Sequence, residues 1–186
     1  MGLRLIGGDL RGKKLHSIPG IKIRPTADRL REAIFNILSF RVRGALVLDL
    51  FAGTGALGIE ALSRGAESAV FIDTDKGVLS LIERNVRSCA LNKRAKFIKW
   101  NIRKNLNCIM SVQPAFDLVF MDPPYDKDYI KPSLLNLHQS KALAKNACVV
   151  IEHSPTEPIP EEGPVFRITD QRKYGKTLVS FLECMV

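Results

Sequence analysis

A chain of 186 residues, 46% apolar and 25% charged, can fill one core and is short for two, and its composition excludes a disordered or collagen-like polymer. Its 28 basic residues against 19 acidic ones leave a net charge of +9, which asks for an acidic partner, nucleic acid before an anionic membrane. No apolar run reaches the ~20 residues of a spanning helix, the N-terminus lacks a signal-peptide core, and Cys89, Cys108, Cys148 and Cys184 stand too far apart for a C-x-x-C framework. We therefore expect a cytoplasmic, single-domain protein with buried, reduced thiols and no metal.

Residues 1–44 form a basic extension. Arg4, Arg11, Lys13, Lys14, Lys22, Arg24, Arg29, Arg31, Arg41 and Arg43 face only Asp9, Asp28 and Glu32 there, so most of the net charge sits in the first quarter. Leu3–Ile6 and Lys14–Ile18, joined through Gly7-Gly8, read as a β-ribbon. Pro25-Thr26 stops extended structure and starts a helix whose stripe Leu30, Ala33, Ile34, Ile37 and Leu38 faces a core, leaving Arg29, Arg31 and Glu32 to solvent. Basic residues on a helix are ordinarily solubilising. Their concentration in one segment favours docking of a polyanion, with Arg24 and Arg29 as leading contacts.

The run Leu46-Val47-Leu48-Asp49-Leu50 reaches a turn of small residues and then a helix over residues 56–63. Gly53, Gly55 and Gly58 match G-x-G-x-x-G, in which glycine permits the turn, ligand approach and close helix packing. The usual occupant of that spacing is a dinucleotide, whose pyrophosphate rests on the helix N-terminus. Asp49, at the carboxyl end of the strand, opposes a phosphate and favours a cation. S-adenosylmethionine has no phosphate and carries a sulfonium and an ammonium. The acid expected about twenty residues after the turn for a ribose diol is available as Asp73, closing the strand 69–72. The competing reading is an empty α/β turn in which Asp49 only caps a helix.

A second helix over residues 76–89, with Val78, Leu79, Ile82, Val86 and Cys89 inward, leads to a strand over 95–100 and to Asn101. This βαβαβ order puts a polar residue at each strand's carboxyl end, where doubly wound sheets bind ligands. Asn101 is a candidate adenine contact, or with Trp100 a plain strand end. The strand 116–121 runs into Asp122-Pro123-Pro124-Tyr125. Two prolines fix an extended turn without N–H donors, so its backbone can only accept. The exocyclic amine of a nucleobase must donate two hydrogens, and the Asp122 carboxylate with the Pro123 carbonyl suits it, with Tyr125 as a stacking platform.

Asp-Pro-Pro-Tyr after the fourth strand, together with Asp49-x-Phe51-x-Gly53-x-Gly55, resembles the amino-methyltransferases that use S-adenosylmethionine. Gly7-Gly8-x-x-Arg11-Gly12, Arg24-Pro25-Thr26-x-x-Arg29-x-Arg31-Glu32-Ala33 and Tyr174-Gly175-x-Thr177 further resemble the RsmD-type enzymes, which modify a guanine N2 of small-subunit (16S) rRNA. The resemblance implies Asp122, Pro123 and Tyr125 as catalytic residues. It implies Asp49, Phe51, Gly53, Gly55, Asp73 and Asn101 around the donor, and adds Arg11, Thr26 and Arg31 to Arg24 and Arg29 as RNA contacts. Asn101 departs from the family, which more often has Asp there. The implied partner is rRNA, naked or in a partly assembled small subunit, met by a monomer.

Beyond Tyr125, residues 127–143 read as a helix interrupted near Pro132, and Ala147–Glu152 as a fifth buried strand ending at His153. A histidine there is more often hydrogen-bonded structure than catalyst. Val165–Ile168 and Lys176–Leu182 read as a hairpin on the sheet edge. The expected fold is α/β, a Rossmann-like seven-stranded mostly parallel sheet with an antiparallel last strand (the class I methyltransferase fold), comprising the basic extension 1–44 and a core 45–186. Adenine N6 and cytosine N4 satisfy the acceptor pocket as well as guanine does. Rivals of other classes are a nicotinamide-dependent oxidoreductase, opposed by Asp49 and the Pro-Pro-Tyr loop, and a non-catalytic RNA-binding module with a vestigial cofactor pocket.

Overall fold

The computed structural model describes residues 2–17, 25–110, 112–159 and 165–185, with the backbone only for 25–27; Arg24 and the Thr26 side chain thus lie outside the described residues. Seven strands form one sheet: β1 (Leu46–Leu50), β2 (Ser68–Asp73), β3 (Ala95–Lys99), β4 (Phe116–Met121), β5 (Leu143–His153), β6 (Phe166–Tyr174) and β7 (Thr177–Cys184). Their spatial order is β3-β2-β1-β4-β5-β7-β6. The first five run parallel, and β7 is antiparallel to both its neighbours. Four helices accompany them: α1 (Pro25–Leu38), α2 (Ala56–Ser63), α3 (Lys76–Ser88) and α4 (Ile130–Gln139).

The central strands are apolar on both faces, as a doubly covered parallel sheet requires. Val47, Phe71, Phe120 and Val150 point to one face and pack with Ile34 and Phe35 of α1, Ile59 of α2 and Ile82 of α3. Leu48, Ile72, Val119 and Ile151 point to the other and meet Ile102, Leu134 and Leu137. Chain order reverses between β1 and β4, so the crevice opens over their carboxyl ends.

The sheet edge carries the expected hairpin of β6 and β7, with β6 longer than its apolar residues suggest. β7 lies inside, between β5 and β6, and β6 is the edge strand, extending to Tyr174 through Asp170-Gln171-Arg172-Lys173. Its exposed position tolerates charge, which hides the strand from an apolar-run reading. β5 starts at Leu143, earlier than Ala147, through the polar Lys145-Asn146. Pro132 does not interrupt α4: it is the helix's third residue, where an N–H would have no intrahelical partner. His153 is buried and structural, its ring bonded to Ser180 Oγ and to the Ser154 and Glu157 carbonyls. Cys89, Cys148 and Cys184 are buried and Cys108 half-buried.

Among the described residues the N-terminal ribbon is one antiparallel bridge, Arg4 to Lys14, with flanking bonds such as Leu15 N–H to the Leu3 carbonyl at 2.8 Å. What holds it is Glu60 of α2, wholly buried, whose carboxylate accepts from Ile6 N–H at 2.8 Å and Gly7 N–H at 2.7 Å. Gly8 has φ +73°, and a Cβ there would lie 2.0 Å from the Ser63 carbonyl, so the arm crosses the end of α2 backbone to backbone. Arg31 is a correction to the sequence reading. It is 5% exposed, not turned to solvent: its guanidinium donates to the Arg4 carbonyl at 2.6 Å and to Asp28 at 3.1 Å, with Nε 3.6 Å from Glu60. Glu60 of α2 and Asp28, one turn back in α1 itself, draw it in.

Candidate active site

Between β1 and α2 the chain turns through Phe51 at φ +57° and Gly55 at φ +73°, left-handed conformations. Gly55 is doubly constrained, because a Cβ there would stand 2.7 Å from Ile82 Cγ2. Gly58, in α2, sits where a Cβ would meet Phe71 Cε1 at 2.4 Å, so the helix lies close against β2. Asp73, closing β2, reaches back over the turn. One of its oxygens accepts from Gly53 N–H at 3.3 Å and the other from Asp75 N–H at 3.0 Å. Asp75 caps α3 by accepting from Gly77 and Val78.

A cleft of about 760 Å³ opens over these strand ends. One wall carries Phe51, Asp73, Thr74, Asn101 and Ile102; the other carries Asp122, Pro123, Pro124, Tyr125 and Glu152; Arg103 and Tyr129 close the side. Phe51 and Tyr129 meet edge to face at 5.7 Å, and the Arg103 guanidinium lies 5.3 Å above the Tyr129 ring. Asn101 is exposed, its Oδ1 accepting from Arg103 N–H at 3.1 Å.

Of the expected donor-side residues, Phe51, Asp73 and Asn101 reach this cleft, while Gly53 and Gly55 shape the turn beside it. Asp49 does not line it. It is 3% exposed beneath the turn, and its Oδ2 accepts from Gly58 N–H at 2.9 Å, which is the helix-capping role. Burial, reinforced by the charge of Asp73 and opposed by the Gly58 N–H, pushes its pKa up to about 8. A carboxyl whose proton is held more tightly when folded stabilises the fold at low pH and loses that contribution as pH rises to about 8. Asp49→Asn, which keeps an acceptor for Gly58, should match the unliganded wild type in Tm near pH 4, below the window that Asp49 opens, and exceed it increasingly as pH rises to about 8. Equal melting temperatures across that range would show that Asp49 ionises without cost.

The substrate-side residues Asp122, Pro123 and Tyr125 converge as expected. Asp122 is exposed to the cleft, beside Glu152 and Pro123. Water within a cleft solvates an ion less well than bulk water does, so exposure to the cleft still leaves a desolvation cost. Desolvation first, then the charges of Glu152 and Asp49, hold its pKa well above the carboxylate range. Tyr125 donates to Glu152 Oε1 at 2.6 Å and lies 3.3 Å from Thr177 Oγ1. Desolvation and the Glu152 contact keep the phenol protonated, and desolvation raises Glu152 while the tyrosine hydroxyl counters it.

Sequence reading missed Glu152, Arg103 and Tyr129 as cleft residues. Glu152 had a signal, since like Asp49 and Asp122 it is the acid that an apolar strand runs into. Arg103 and Tyr129 had none.

On the N-terminal arm and α1, Arg11 and Arg29 are exposed and carry no ion pair among the described residues. Asn85 of α3, wholly buried, accepts from His16 N–H at 2.7 Å and donates to the His16 and Thr54 carbonyls at 3.0 and 3.2 Å. The basic arm thus abuts the glycine turn. Among the described residues no group of three or more His, Cys, Asp or Glu could hold a metal ion, and no helix is long and apolar enough to cross a membrane.

The strand order, the glycine turn under Asp73 and the Asp-Pro-Pro-Tyr wall across one cleft define a class I methyltransferase, a fold whose methyl donor is S-adenosylmethionine. The family model described as conserved hypothetical protein 95 matches residues 3–183, and the chain belongs to that family, the RsmD family. It is similar to YlbH of Bacillus subtilis, 33% identical over 178 residues covering 96% of this chain and 97% of that one. It is also similar to ribosomal RNA small subunit methyltransferase D of Haemophilus influenzae, 34% identical over 84% of this chain and 81% of that one. Among solved structures, yhhF of Escherichia coli superposes with a TM-score of 0.87 at 30% identity, covering 98% of each chain.

Proposed function

We propose that this protein transfers the methyl group of S-adenosylmethionine to the exocyclic N2 of a guanine in small-subunit (16S) rRNA. The observation that carries the reading is the convergence of Asp73 with Asp122, Pro123 and Tyr125 on one cleft. The donor supplies a methyl group already activated on a sulfonium, so the protein's task is orientation and amine polarisation. Asp73 holds the ribose diol and Asn101 the adenine amine. Tyr125 supports the base after it leaves its stack. Asp122 and the Pro123 carbonyl accept the two amine hydrogens, which turns the nitrogen lone pair toward the methyl carbon. As the N–C bond forms and the C–S electrons return to sulfur, one amine proton passes to Asp122, whose raised proton affinity suits it to accept, and then to water. No metal enters. The substrate is met in the cytoplasm by a monomer, as naked rRNA or in a partly assembled small subunit.

Nucleoside mass spectrometry of rRNA after reaction with labelled donor tests this, with N2-methylguanosine as the expected product. N6-methyladenosine as the main product would move the assignment to adenine. No transfer at all would favour an RNA-binding module with a vestigial pocket.

The extension 1–44 docks the RNA in this reading, with Arg11, Arg24, Thr26 and Arg29 as contacts, while Arg31 supports the helix from inside. Arg11→Ala and Arg29→Ala should each weaken RNA binding and lower the log–log salt slope by ~0.7 to 0.9 for each phosphate left without its arginine. Donor affinity, measured alone, should stay constant. A salt slope equal to the wild type's would reduce these arginines to surface charge.

A further inference from the structure

The acceptor pair assigned to the amine admits adenine and cytosine as readily as guanine, so discrimination has to come from the neighbouring atom on the base edge. Guanine presents a second donor there, its N1–H. Adenine and cytosine present a bare ring nitrogen, an acceptor. A site that prefers guanine therefore needs a second acceptor beside Asp122.

The sheet register supplies one. Met121, the last residue of β4, pairs with Ile151 of β5, strands that lie ~4.8 Å apart, so Asp122, the first residue past β4, and Glu152 of β5 follow the same pair of the register. Phe120 and Val150 point to the same face, and by the two-residue period Asp122 and Glu152 share it. Both side chains line the cleft. Glu152 is held by the Tyr125 hydroxyl, which donates to Oε1 at 2.6 Å, and by the neighbouring β7, where its partner is Val179. With one oxygen committed to tyrosine, the other remains for a ligand.

Resting on the guanine-N2 reading, we infer that Glu152 accepts the guanine N1–H while Asp122 accepts the N2 amine, so that two neighbouring carboxylates read two neighbouring donors. Adenine or cytosine in the same place sets a ring lone pair against a carboxylate oxygen, a repulsive contact that excludes them. Tyr125 is then a positioning residue as well as a platform, since its hydroxyl fixes the rotation of the Glu152 carboxylate.

The test compares an RNA carrying the methylated guanine with the same RNA carrying 2-aminopurine there, a base that keeps the 2-amino group but has a bare N1. Wild-type kcat/KM should fall about 10- to 100-fold on 2-aminopurine. Glu152→Gln keeps an oxygen for Tyr125 and offers an N–H to N1, so the guanine-to-aminopurine ratio should collapse to within about threefold. Tyr125→Phe should slow both substrates while Glu152→Gln alone converts preference. A Glu152→Gln protein that melts like the wild type and slows both substrates equally would overturn the inference and leave Glu152 as a support for Tyr125. Absence of N2-methylguanosine from the wild-type reaction would instead overturn the guanine reading itself.

Discussion

Asp122→Ala should lower methyl transfer by about 10²- to 10⁴-fold, the range for loss of a positioned proton acceptor, while donor affinity stays within about twofold. The asymmetry follows from the two walls of the cleft. Asp122 follows the end of β4 beside Pro123 and Glu152, whereas Asp73 ends β2 over the glycine turn. The loss should not come from unfolding. Asp122 faces the charges of Glu152 and Asp49, so removing it relieves repulsion and the variant should melt no lower than the parent. Asp73→Ala should do the reverse, weakening donor binding by about 1 to 3 kcal/mol through loss of charged hydrogen bonds. Single-turnover transfer and equilibrium donor binding, measured on both variants, separate the roles. Near-normal turnover by Asp122→Ala would dismiss it from the chemistry.

The largest effect on stability should come from Glu60→Ala. This carboxylate is fully buried and gathers the Ile6 and Gly7 N–H groups, Arg64 Nε at 2.8 Å and Arg31 Nε at 3.6 Å. Burial already pulls the Arg31 pKa down, and Glu60 and Asp28 are what hold its charge. Removing Glu60 leaves that charge with Asp28 and a backbone carbonyl, at a cost of about 3 to 5 kcal/mol. The arm it anchors includes Arg11, so RNA binding should weaken more than donor binding. Denaturant titration of the variant gives the loss directly, and a change below about 1 kcal/mol would mean that Asp28 suffices. A double-mutant cycle with Arg31→Leu isolates the pair.

Much of this was legible in the chain. Periodicity located α2 to the residue and α3 to within one, because buried strands and amphipathic helices carry their burial in local spacing. The glycine turn and the Asp-Pro-Pro-Tyr loop were legible for a chemical reason: a tight turn and an acceptor-only loop each demand particular residue types at fixed offsets, and Asp73 closes β2 beside that turn as its spacing suggests. The polar stretches of β5 and β6 were not, since strands in exposed positions need no apolar alternation.

What the sequence by itself determined is the order of elements and the residue types delivered to each strand end. The fate of each charge was decided only by tertiary structure. Arg29 and Arg31 read alike on a helical wheel, yet one is exposed and the other buried, because only Arg31 finds Glu60 of α2 across from it and Asp28 one turn back. Asp49 reads as a donor contact, yet the close packing of α2 on β2 turns it under the glycine turn to cap Gly58. Glu152 lies thirty residues from Asp122, and only the pairing of β4 with β5 makes them neighbours. Local spacing encodes which face a residue occupies. The partner it finds there, and therefore its charge and its role, depends on strand register and helix docking that no local pattern contains.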